Sequence, residues 1–126
     1  MSIVEVRFGD IAGVLHRPPD ATACVVLGHG FSATVEAGLE RYCARFAAVG
    51  FAALAFDYRR FGASCGEPRE VLVVEDQLAD WADALRFARS IEGIDRIAIW
   101  GTSYGGGHVL EAAARDGGVA AVVSQV

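Results

Sequence analysis

The sequence predicts an α/β protein: a mostly parallel sheet with an N-terminal antiparallel hairpin and helices on both faces. Short continuous apolar runs at 23–27, 51–56, 96–100 and 119–123 have the length of strands buried on both sides. Segments of helical spacing separate these runs, and two alternating segments precede the first. A hairpin followed by β-α-β-α-β-α-β is most simply wound as three layers, with right-handed crossovers covering the sheet.

In the hairpin, 3–8 and 11–15 alternate apolar and polar residues, and Gly9-Asp10 suits a two-residue type II′ turn. Arg17-Pro18-Pro19-Asp20 breaks the chain before the run at 23–27, which Gly28-His29-Gly30 ends. Val35, Leu39, Tyr42, Cys43 and Phe46 then fall on one helical face. Ser32 or Thr34 is placed to cap that helix, and Gly50 to take the left-handed conformation after it. The strand at 51–56 stops at Asp57. Beyond the loop 58–69, Val74, Leu78, Trp81, Ala82 and Leu85 mark a second long helix. Glu75, Asp76, Asp80, Asp83, Arg86 and Arg89 are expected on its solvated face. The strand at 96–100 leads into a third helix at 104–115, and 119–123 is the last strand. Trp81 and Trp100 are expected in the core. No repeat, linker or low-complexity tract divides the single domain 1–126.

Composition narrows the function. The chain has 126 residues, 53% of them hydrophobic, and a net charge of −5, which disfavours nucleic acid as a partner. All 11 cations are arginine. The lack of lysine excludes a P-loop lysine, a Schiff base and a Ser-Lys dyad together. Cys24, Cys43 and Cys65 form no CxxC pair and no zinc-ligand spacing with His16, His29 or His108. Neither a metal nor an organic cofactor is expected. The odd cysteine count and an N-terminus without a signal-peptide core suggest a cytoplasmic protein, and no apolar run reaches membrane-spanning length.

Gly101-Thr102-Ser103-Tyr104-Gly105 matches G-x-S-x-G, the sequence of a nucleophile elbow. The turn from strand to helix is so sharp that side chains at the two glycines would strike neighbouring backbone, and the strained serine projects its hydroxyl above the sheet. Ile97-Ala98-Ile99-Trp100 before it reads as a strand and the residues after it as a helix, the setting the motif requires. Upstream, His29-Gly30-Phe31 follows a buried strand, where acyl transfer needs a backbone N–H aimed at the developing oxyanion. The N–H groups of Phe31 and Tyr104 are the candidate donors, and His29 is expected to be structural.

Together, HGF at 29–31, FDYRRFGAS at 56–64, GEPRE at 66–70 and GTSYGG at 101–106 resemble the α/β-hydrolase superfamily. The sequence is most similar to its dienelactone-hydrolase-like, serine-aminopeptidase-like (S33) and Xaa-Pro-peptidase-like branches. That resemblance implies Ser103 as nucleophile, Phe31 and Tyr104 as oxyanion hole, and a small-molecule or peptide acyl substrate. It gives Asp57, Arg59 and Gly62 a structural loop. The family's acid and histidine follow the serine in the chain. His108 lies on the helix that Ser103 opens and should point away, and Asp116 comes too early. By resemblance the acid, base, last two strands and any lid would lie beyond Val126, making this an N-terminal portion. Taken alone it is expected to be inactive on esters and poorly soluble, with the strand at 119–123 an apolar edge open to self-association.

Two other readings compete. Gly28-His29-Gly30-Phe31-Ser32-Ala33 fits the dinucleotide fingerprint G-x-G-x-x-G/A, with Asp57 ending the next strand, although Asp57 follows later than that motif places its acid. A non-catalytic remnant that binds a partner is the third.

Overall fold

The computed structural model describes residues 1–30 and 33–125. Strand β1 (Ser2–Phe8) turns back into β2 (Ile11–Arg17), followed by β3 (Ala23–Gly28). A 3₁₀ turn (Val35–Ala37) and helix α1 (Leu39–Ala48) lead to β4 (Ala52–Phe56). Then come α2 (Val74–Ser90), β5 (Arg96–Thr102), α3 (Tyr104–Asp116) and β6 (Ala121–Gln125).

The six strands form one sheet in the order β1-β2-β4-β3-β5-β6. β1 and β2 are antiparallel, β2 joins β4 antiparallel, and β4, β3, β5 and β6 run parallel. At the hairpin, φ is 61° at Gly9 and Asp10 is not among the residues with positive φ, as the type II′ turn requires.

The core has one part on each face of the sheet. Leu39 and Cys43 of α1 pack with Val25, Leu27, Ala53 and Trp100 on one side. Trp81 and Leu85 of α2, with Val109 of α3, pack against Val26, Leu54, Phe56 and Ile99 on the other. That division follows from crossovers of a single hand. The chain leaves β3 in one direction to reach β4, then reverses to reach β5 and β6, so α1 and the α2–α3 pair fall on opposite faces. Trp81 is fully buried and Trp100 nearly so. Enclosing a large side chain of this kind contributes roughly 2–3 kcal/mol.

Two helices differ from their expected form. The first is broken: Val35 sits in the separate 3₁₀ turn, and Gly38 with φ 115° redirects the chain before α1. Only glycine takes that conformation cheaply. Thr34 makes no side-chain cap bond, and Ser32 lies outside the described residues. Gly50 is left-handed as expected, with φ 98°.

In α2 the buried face is rotated from the expected stripe. Val74 and Ala82 are exposed, while Gln77, Asp80, Trp81, Ala84, Leu85 and Ala88 are buried. Asp80 is thus not on the solvated face. Its carboxylate, with no exposed surface, accepts from the Arg59 backbone N–H and the Arg59 Nε–H, each at 2.9 Å. Asp76 is also partnered, through Arg59 and Arg60. β6 begins at Ala121 rather than at 119 and is exposed along its whole length. Among the described residues no helix is long and apolar enough to cross a membrane.

Candidate active site

Because β4 and β5 flank β3 and the chain reverses direction between them, the carboxyl end of β3 is a topological switch point. Crossovers diverge there and leave a crevice beyond the strand ends. His29 and Gly30 emerge from β3 at this point, and Ser103 follows β5 beside them.

Ser103 has φ 55° and ψ −119°, a conformation that costs a non-glycine residue about 1–3 kcal/mol. It is exposed. Surrounding structure over-determines the turn. Ser103 N–H donates to Gln125 O at 2.6 Å, and Gly106 N–H donates to Ser103 O at 2.9 Å. A Cβ at Gly101 would collide with Gly105 O and lie 2.8 Å from Val109 Cγ1. One at Gly105 would collide with His29 O and lie 3.0 Å from Gly28 O. One at Gly30 would stand 2.9 Å from Ser103 Cβ and 3.1 Å from Thr102 O. The HG and GTSYG segments, remote in sequence, therefore interlock backbone to backbone.

Tyr104 opens α3, so its N–H belongs to the positive end of the helix dipole. Phe31 lies outside the described residues, but the chain on both sides of it is anchored. Tyr58 Oη–H donates to His29 O at 3.0 Å and accepts from Trp81 Nε1–H at 2.9 Å. Asp57 Oδ1 accepts from Val35 N–H at 2.8 Å, and Oδ2 from Ala63 N–H at 2.9 Å. A Cβ at Gly62 would collide with the same carboxylate. The loop after β4 is thus a support built from Asp57, Tyr58 and Gly62. Sequence reasoning missed Tyr58; an aromatic hydroxyl two residues past a buried strand was the signal.

No hydrogen bond joins any of the three histidines to Ser103 among the described residues. His16 is buried on β2, with neither ring nitrogen hydrogen-bonded. His29 is buried with Nε2 unpaired, and burial lowers its pKa against the opposing pull of Asp57. His108 points to α2, its Nε2 lying 2.8 Å from Gln77 Oε1. Asp116 pairs with Arg89 and caps Gly118, and the Arg89 hydrogen bond lowers its pKa.

Burial also lowers the pKa of His108 from the ordinary 6.5. The unfolded chain therefore takes up this proton first as pH falls, so stability drops from about pH 6.5 down to the lowered folded value. The melting temperature should fall on acidification from pH 7.5 to 5.5, with a shallower slope in His108→Gln. Equal slopes in the two proteins would exclude His108 as a source.

The buried thiols Cys24 and Cys43 are each pushed up to about 12 by burial, so neither is a thiolate nucleophile at neutral pH. No cluster of three or more metal-ligating side chains occurs among the described residues. The dinucleotide reading loses its support. Each oxygen of Asp57 accepts from a backbone N–H of its own surroundings, a structural use of the carboxylate, and a 3₁₀ turn at Val35–Ala37 precedes the helix where that motif needs a helix N-terminus.

A mixed sheet covered on both faces, with a strained serine between strand and helix at the switch point, defines an α/β hydrolase fold. The chain belongs to the serine aminopeptidase S33 family, whose model matches residues 19–125. It is 50% identical over 115 residues to the quorum-quenching protein AidA of Acinetobacter baumannii, covering 88% of this chain and 38% of that protein. It is 36% identical over 102 residues to the thiohydrolase aneE of Aspergillus aculeatus, covering 79% and 32%. The crystal structure of the α/β hydrolase GrgF from Penicillium sp. sh18 superposes with a TM-score of 0.87 at 31% identity, covering 96% of this chain and 44% of GrgF. The chain spans less than half the length of these relatives.

Proposed function

We propose that the protein is a serine hydrolase cleaving an ester, thioester or amide through an acyl-enzyme on Ser103. The observation that carries this reading is the exposed serine held at φ 55°, ψ −119° by glycines that leave no room for side chains. Strain of this kind persists only where the surroundings enforce it. Ser103 Oγ attacks the acyl carbon, and the N–H groups of Tyr104 and Phe31 stabilise the oxyanion. Collapse of the tetrahedral adduct expels the leaving group, which takes up a proton, and water then releases the acid.

The base is supplied from outside these 126 residues. His108 is committed to Gln77, and His16 and His29 are buried with ring nitrogens that make no hydrogen bond to the serine among the described residues. Membership of a hydrolase family whose relatives are more than twice as long supports this. The portion described here is by itself inactive on this reading. A thioester is the first substrate class to test, since one relative is a thiohydrolase. Free Cys24, Cys43 and Cys65 support a cytoplasmic location, and the exposed β6 supports self-association of this portion taken alone.

A fluorophosphonate probe, applied to the full-length protein, should add one phosphonyl group to the peptide carrying Ser103. Folded protein that takes up no label at Ser103 overturns the reading and favours a non-catalytic remnant.

A further inference from the structure

We infer that Tyr58 is a positioning residue for acyl transfer, acting through the His29–Gly30 peptide; this inference rests on the reading of Ser103 as nucleophile. The His29 carbonyl is the point at which three elements meet. Tyr58 Oη–H donates to it, and Gly105 lacks a Cβ to make room for it. Gly30, the next residue, lies against Ser103 Cβ and near Tyr104 N, at 2.9 and 3.3 Å from a Cβ built there. Rotating this peptide would drive its oxygen out of the space beside Gly105 and displace Gly30 from the serine turn. The planar peptide moves as one body, so fixing its oxygen fixes its N–H direction as well.

Tyr58 is itself held in place. Its ring packs edge-on to Phe56 at 5.3 Å and to His108 at 5.8 Å. Its oxygen accepts from Trp81 Nε1–H, and the Trp81 ring fills the space that Gly28 leaves by lacking a side chain. The relay therefore runs Trp81 Nε1–H to Tyr58 Oη–H to His29 O, entirely within buried surroundings. A donor that is itself an acceptor is polarised, which strengthens its outgoing bond. Asp57, the preceding residue, holds Val35 N–H. Two adjacent residues at the end of β4 thus anchor the backbone on both sides of the segment from Gly30 to Thr34.

Tyr58→Phe keeps the ring and deletes the bond. In the full-length protein, kcat on a thioester should fall about ten- to a hundredfold with KM within about twofold, since misplacement at a reacting centre costs rate more than binding. The inhibition constant of a trifluoromethyl ketone, which forms a tetrahedral oxyanion adduct, should rise by the same factor as kcat falls. Trp81→Phe, which leaves the Tyr58–His29 bond in place, should show the same pattern with a smaller loss. A merely structural Tyr58 would lower the melting temperature and leave kcat and the inhibition constant unchanged well below it; that result overturns the inference. Should Tyr58→Phe be recovered only unfolded, the kcat and inhibitor pattern of Trp81→Phe decides. Retained labelling at Ser103 with unchanged kcat in both variants defeats this inference alone, whereas absence of labelling in the unsubstituted protein defeats the reading beneath it.

Discussion

Replacing Ser103 with alanine is expected to lower kcat of the full-length protein by about a millionfold, the scale seen when the nucleophile of a serine protease is removed. The remaining rate comes from binding and the oxyanion donors, which do not need the hydroxyl. Ser103→Gly should be equally inactive but more stable. The backbone at 103 costs a residue with a Cβ about 1–3 kcal/mol, whereas glycine's extra chain entropy costs about 0.5–1 kcal/mol. The strain term is the larger, so a net gain of about 1 kcal/mol and a melting temperature a few degrees higher are expected. Kinetics on a thioester and thermal melts of the three proteins check both parts. A glycine variant less stable than the alanine variant would show that the turn carries no strain.

The second large effect is expected at Gly105. Alanine there forces its Cβ into His29 O, and both groups belong to backbone, so neither can swing aside. Forced overpacking of this kind costs about 1–3 kcal/mol. The shift would fall between the HG segment and Ser103, so kcat should drop by about a hundredfold as well. Gly107 supplies the control. It lies two residues further along α3, is exposed, and has nothing within 4 Å of a built Cβ. Gly107→Ala should stabilise the protein by about 0.8–1 kcal/mol, because alanine is the better helix former, and leave kcat unchanged. Opposite signs at two glycines of one helix separate steric demand from helix propensity. Melting temperatures and kcat for the pair measure it, and a Gly105→Ala protein like the parent in both would contradict the interlock.

The sheet and the Ser103 turn were legible because their signals are local. A strand of four apolar residues running into G-x-S-x-G sets its own geometry, and the short runs at 23–27 and 51–56 are too apolar to face water. What stayed hidden depends on partners distant in the chain. The break at Gly38 left no trace in the hydrophobic pattern, since Val35 and Leu39 are both buried on either side of it. Asp76 and Asp80 looked like an exposed i, i+4 pair, while the group that buries Asp80 is Arg59, from the loop after β4. A second stripe was available at helical spacing: Gln77, Asp80, Trp81, Ala84, Leu85 and Ala88 recur at i, i+3, i+4, i+7, i+8 and i+11, beside the apolar stripe through Val74 and Ala82. Polar residues inside such a stripe mark buried, partnered groups. Tyr58 was hidden for the same reason, because its acceptor is a backbone carbonyl that no residue type announces.

One bond ties the serine to β6. Ser103 N–H is received by Gln125 O, on the strand that runs parallel beside β5. A further hydrogen bond joins Ser124 Oγ to Gly106 O. Displacing β6 sideways would release the peptide that holds Ser103 in its uncommon conformation. Coupling between two places on a molecule is reciprocal in free energy. Whatever shifts β6 is therefore felt at the serine, and on the proposed mechanism an acyl group on Ser103 is felt, to the same degree, along β6.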